Sequence, residues 1–179
     1  MGALRYVKGF VFEPFLGVFL VPFLILLFYI PMNFSWILEY PLNVLATAAA
    51  VLLLSIGVAL LVVTTYLLAK VGEGSAAPWD PPKYLVIEGI YRHVRNPMVV
   101  GVLFTVLGEA VLFGSVPLFL LFVALFLGNH ILFIKQEEPE LLERFGEEYK
   151  QYLANVPRWL PRLRPWIAQS TEPKNESEE

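Results

Sequence analysis

Two carboxylates side by side, Glu137 and Glu138, followed at once by Pro139, are the most reactive-looking pair in this chain. Adjacent carboxylates can hold a cationic ligand, or stand solvated at a helix start, where the dipole favours negative charge. The residue before a proline is biased out of the α region, so Glu138 is expected at a break between two helices. Seven residues before Glu137 lies His130, with Asn129 beside it. A lone histidine can be a packing residue, but this spacing puts His130 and Glu137 on one helical face, so the two are expected to line a polar cavity. A second cluster, Glu88–Gly101 (EGIYRHVRNPMVVG), gathers Arg92, His93, Arg95 and Asn96 ahead of Pro97, which can open a helix at its first position. Basic groups beside the free amides of a helix N-terminus make an anion-binding corner; they can equally anchor the chain at a membrane surface. Glu109 is thirteen residues beyond Asn96, about 20 Å along a helix, and is expected as an interfacial carboxylate near the helix's far end.

The elements that must hold these residues are apolar. Of 179 residues 57% are hydrophobic and only 16% charged, with a mean hydropathy of +0.63. A soluble domain carries about 25% charged residues, so the chain is expected in a bilayer. A net charge of −3 excludes a charge-driven nucleic-acid binder, and the absence of cysteine excludes thiolate nucleophiles and Cys-ligated metal. No metal site is expected.

Charge-free runs extend from Pro14 to Leu38 and from Tyr40 to Ala69, each long enough to cross about 30 Å of hydrocarbon. The region Asn96 to Ile134 holds a single charge and is too long for one helix. Gly114, Ser115 and Pro117 supply turn chemistry near its middle, so a hairpin is expected, about Pro97–Phe113 and Val116–Ile134, whose first arm is short for a full crossing. The expected fold is all-α: a polytopic bundle of about four membrane helices with a C-terminal interfacial helix. Every lysine and arginine falls in the N-terminal segment, in 70–96 or after Ile134, and the loops 31–39 and 113–117 hold none. By the positive-inside rule the termini and the polar cluster face the cytoplasm.

After Ile134, KQEEPELLERFGEEYKQYL keeps Leu142, Phe145, Tyr149 and Tyr152 at helical spacing, the pattern of an interfacial helix. VPRWLPRLRPW then reads as a headgroup-level anchor, and residues 168–179 as a disordered polar tail. One unit spanning 1–167 is expected.

The two polar blocks occur in a recognisable order. Gly89, Tyr91, Arg92, Arg95, Asn96, Pro97 and Gly101, then Glu137, Glu138, Leu141, Phe145, Gly146, Tyr149, Tyr152, Pro157 and Arg158, resemble the isoprenylcysteine carboxyl methyltransferase and phospholipid methyltransferase superfamily over about residues 83–161. Val99 departs from the tyrosine common in the first block, and Asn96 stands for a frequent histidine.

The resemblance implies an integral-membrane enzyme that uses S-adenosylmethionine near the cytosolic face and takes a lipid-like substrate from the bilayer. It implies a cofactor site drawn from Tyr91, Arg95, Asn96, Pro97, Gly101, Asn129, His130, Glu137, Glu138, Tyr149, Tyr152 and Arg158. On this reading Glu137 and Glu138 accept from the ammonium or ribose hydroxyls, Arg95 or Arg158 pairs with the carboxylate, and the tyrosines pack the adenine or border the sulfonium. Arg92 or Arg95 holds a carboxylate acceptor; Glu138 or His130 takes the proton from an amine acceptor. Two other readings stay open: a reductase of the sterol-reductase type using NADPH, whose larger set of spans is missing, and a non-catalytic lipid-binding or transporter protein.

Overall fold

Without water to satisfy it, an apolar chain must pair its backbone internally, and a helix does so within one segment. The computed structural model describes residue 18 and residues 20–29, 39–75 and 80–167, and among these every regular element is helical. They are α1 (Val21–Tyr29), α2 (Leu42–Lys70), a 3-10 turn (Gly89–Arg92), α3 (Pro97–Phe113), α4 (Val116–Leu132), a π-turn (Phe133–Glu137) and α5 (Glu138–Asn155). The rest of the first expected span, the loop 31–38 and the tail 168–179 lie outside the described residues.

Two helices are long and apolar enough to cross a membrane: α2, and the continuous 40-residue helix from Val116 to Asn155. Leu45, Leu52, Ile56 and Val62 of α2 stand exposed, an arrangement suited to lipid. The opposite stripe of α2, Ala50, Gly57, Leu61 and Thr64, is buried against α3. There the backbones nearly touch. A Cβ on Gly57 would collide with the Thr105 hydroxyl and lie 2.8 Å from the Thr105 amide; one on Gly101 would lie 3.0 Å from the Gly57 carbonyl. Small residues allow this approach and dispersion gains from it. The Thr105 hydroxyl donates back to Gly101 O at 2.9 Å, so it is satisfied within its own helix.

The expected hairpin is present. Gly114 adopts the left-handed conformation (φ 58) that ends α3, and Ser115 caps α4 by accepting from Leu118 N. The expected break at Glu138 is absent, since Glu138 is helical (φ −64, ψ −43). The π-turn just before it widens the helix and takes up the ring and missing N–H of Pro139. The helix departs from helical geometry at Gly146 instead (φ 57, ψ −131).

Candidate active site

The site is assembled at the end of the bundle where α2 finishes, α3 begins and α4 passes into α5. Its floor is the 3-10 turn and the residues up to Pro97, and a strap, residues 156–167, runs beneath it. Arg95 N donates to Pro157 O, Arg162 N to His93 O and Trp166 N to Arg92 O, each at 3.0 Å. His93 Nδ1 lies 2.7 Å from Arg162 O, and the Tyr152 hydroxyl donates to Tyr91 O at 2.7 Å. The strap's inward face therefore fixes the backbone of the basic cluster, beyond any role as an anchor.

One ion cluster ties the three elements together. Arg95 Nη1 donates to Glu138 Oε1 at 2.8 Å. Arg158 grips the same carboxylate with two nitrogens, Nε to Oε1 and Nη2 to Oε2, each 2.8 Å. Arg95 is 9% exposed and Glu138 15%, so the cluster is largely desolvated, and its hydrogen bonds are the strong, charge-assisted kind. Both oxygens of Glu138 are thus engaged by the protein. Arg95 keeps one buried N–H, Nε, with no partner.

Above the floor lies a cavity of about 520 Å³, within the range of small-molecule clefts. Tyr91, Arg95, Asn96, Pro97, Asn129, Glu137, Tyr149 and Tyr152 line it, as do Met98 and Val99 of the first turn of α3. Glu137 faces it with no hydrogen-bond or ion-pair partner among the described residues. It lies beyond the apolar stretch that ends at Ile134. Burial first, then the charges of Glu140 and Glu138, push its carboxyl up to about 7. Burial also raises the hydroxyls of Tyr91 and Tyr152, and that of Tyr149 with Arg95 opposing it, so all three stay protonated donors.

Five of the expected site residues do not line this cavity. Arg92 gives its Nε to Ile87 O at 3.1 Å. Gly101 belongs to the α2–α3 seam. Glu138 is spent on Arg95 and Arg158, and Arg158 on Glu138. His130 does not share a face with Glu137; it accepts from Trp159 Nε1 at 3.1 Å and packs with Phe126 and Trp159. The cause is the π-turn between the two, whose extra residue turns the helix by about 100° and spoils a register counted at 3.6. Asn129 does reach the cavity, with its Nδ2 donating to Leu125 O at 2.8 Å. Glu109, expected at an interface, sits one turn before the end of α3 with Oε2 buried and unpartnered.

The sequence reading missed Gln136, Glu140, Arg144 and, from the loop 81–86, Pro81, Pro82, Tyr84, Leu85 and Val86, all of which line the cavity. Arg144 Nη2 donates to Pro82 O at 2.6 Å and so closes one rim. No sequence signal announces a contact 62 residues apart. The Trp of VPRWLP was visible, but nothing linked it to His130. The apolar face of α5 packs inward: Tyr149 and Tyr152 form a buried cluster with Val156, against which Leu85, Ile87, Phe145 and Trp166 rest. Among the described residues no group of His, Asp and Glu could hold a metal ion.

Comparison with known proteins bears on this geometry. The family described as phospholipid methyltransferase matches residues 45–148, more than half of the chain. A protein-S-isoprenylcysteine O-methyltransferase of Schizosaccharomyces pombe (strain 972 / ATCC 24843) is 38% identical over 77 residues, which are 43% of this chain and 33% of that relative. The chain thus matches about a third of the curated relative's length.

Proposed function

The chain belongs to the phospholipid methyltransferase family, and from that premise we propose an integral-membrane methyltransferase that uses S-adenosylmethionine and takes a lipid-like or prenylated acceptor from the bilayer. The observation that carries this reading is the cavity of about 520 Å³ in which a carboxylate without a partner, Glu137, faces aromatic walls and the start of α3. The family match does not favour the reductase reading. We further read the chain as crossing the membrane four times, with its basic ends and the cavity on the cytoplasmic side and α5 at the interface; the one-sided distribution of lysine and arginine supports this.

The residues present fit the cofactor. Glu137 would accept from the α-ammonium or a ribose hydroxyl, the free Nε–H of Arg95 would meet the carboxylate, and Tyr149 with Tyr152 would wall the adenine or the sulfonium. When bound, the cofactor supplies a methyl group made electrophilic by its sulfonium. In-line displacement at carbon asks the chain for alignment and dryness. Glu138 and Arg158 contribute by positioning Arg95, and the loop 81–86, clipped to Arg144, contributes by closing the rim. A carboxylate acceptor attacks directly. An amine acceptor first gives up a proton, for which we assign Glu137, a cavity carboxyl raised to about 7.

Calorimetric titration of S-adenosylmethionine and S-adenosylhomocysteine into detergent-purified protein tests the proposal. Micromolar binding, weakened at least tenfold in Glu137→Gln, is the expected result. Folded protein that binds neither compound, or that binds NADPH instead, overturns it.

A further inference from the structure

We propose that the outer face of the strap seats in the phosphate layer of the membrane, and that this seating helps hold the floor of the site; the inference rests on the membrane reading above. The strap is two-sided. Val156, Trp159 and Trp166 turn inward, packing with α4 and α5, and Arg158 reaches Glu138. Outward stand Leu160, Leu163 and Ile167, which are 80%, 98% and 70% exposed. Three large aliphatic residues on a short segment have no reason to stay in water.

Two observations say what covers them. First, the strap is continuous with the surface of α4 that the membrane reading gives to lipid. The Trp159 ring lies 5.3 Å from Phe126 and 5.8 Å from Phe133, and the neighbouring Leu127, Ile131 and Leu132 are exposed apolar residues. Second, the charge is right for phosphate. Residues 156–167 carry no acid, and with Arg158 paired to Glu138 they leave the charges of Arg162 and Arg164. Arg164 is exposed and has no partner among the described residues. On α5, by contrast, Glu140, Glu143, Glu147 and Glu148 stand exposed and mark the aqueous side. Arginine beside exposed leucine suits the headgroup level, where the guanidinium meets phosphate and the aliphatic chain reaches below it. Because the same strap pairs its backbone with Arg92, His93 and Arg95 and grips Glu138, lipid contact on its outer side reinforces the ion cluster on its inner side.

The chain has no cysteine, so a single introduced one carries a unique spin label. Three variants, Leu163→Cys, Ile131→Cys and Glu147→Cys, are labelled and reconstituted into vesicles of zwitterionic lipid with a rising fraction of anionic lipid. Collision with oxygen is compared with collision with a water-soluble nickel chelate. The expected result is a label at position 163 that favours oxygen as the one at 131 does, opposite to 147, with a preference that grows with anionic lipid and stops growing in Arg164→Glu. A label at 163 that behaves like the one at 147, while 131 lies in lipid, overturns the seating and leaves the membrane reading intact. A label at 131 exposed to the chelate overturns the membrane reading, and the seating with it. A preference at 163 that Arg164→Glu leaves unchanged in every lipid mixture overturns the arginine–phosphate contact.

Discussion

Along the seam between α2 and α3 two backbones touch because side chains are missing; at the polar end the elements stand apart and side chains bridge them. Gly57, Gly101 and Gly108 make the seam; a methyl group would collide at Gly57 and Gly108 and crowd its neighbours at Gly101. Arg95, Glu138, Arg158, Tyr152 and Trp159 make the polar end, each engaged with a partner from another part of the chain. The seam owes its cohesion to dispersion, which is indifferent to chemical identity but intolerant of added volume. The polar end depends on charge and hydrogen bonds whose removal strands a buried partner. One region sets where the helices lie, and the other sets where the reactive groups point.

The largest test of this contrast is Glu138→Ala. It leaves Arg95 and Arg158 facing each other in a largely dry site, and breaking a buried pair costs about 3–5 kcal/mol. Denaturation in detergent should show that loss, together with loss of cofactor binding. Gly57→Val strikes the seam instead. Overpacking costs about 1–3 kcal/mol, and the fraction that stays folded should bind cofactor with near-normal affinity. If that affinity falls as far as in Glu138→Ala, the two regions are not separable.

Glu137→Gln is smaller still in stability, and its signature is pH. The carboxyl is raised from its usual 4.5 to about 7, so the folded state binds a proton more tightly than the unfolded chain. Its contribution to stability then declines as pH rises from about 4.5 to 7 and is flat above. Affinity for a cationic ligand runs the other way, climbing through pH 7 to a plateau. Melting curves and titrations across this range should show both slopes, and the variant should show neither. The smallest effect is expected from Trp159→Phe, which keeps the ring contacts with Phe126 and Phe133 but loses the bond to His130, worth about 1 kcal/mol.

The helices were legible because hydrophobic run length and turn residues are local. The hairpin bounds at Pro97–Phe113 and the start of α4 at Val116 follow from Pro97, Gly114 and Pro117 alone. The pairing of His130 with Glu137 failed for a physical reason. A 3.6-residue count assumes an unbroken helix, and the π-turn at Phe133–Glu137 adds a residue that no propensity marks. Gly101, read as part of a binding motif, serves helix packing, because a motif states which residues recur and not which surface they face.

By itself the sequence determined that the chain is helical and apolar, that its polar groups fall into two blocks at one end, and which family those blocks resemble. Composition and spacing carry such properties residue by residue. Only the tertiary structure decided that Glu138 is consumed by two arginines while Glu137, its neighbour, faces the cavity unpaired. Successive residues on a helix point about 100° apart, so which of two adjacent carboxylates is held and which is free depends on what the rest of the chain brings alongside.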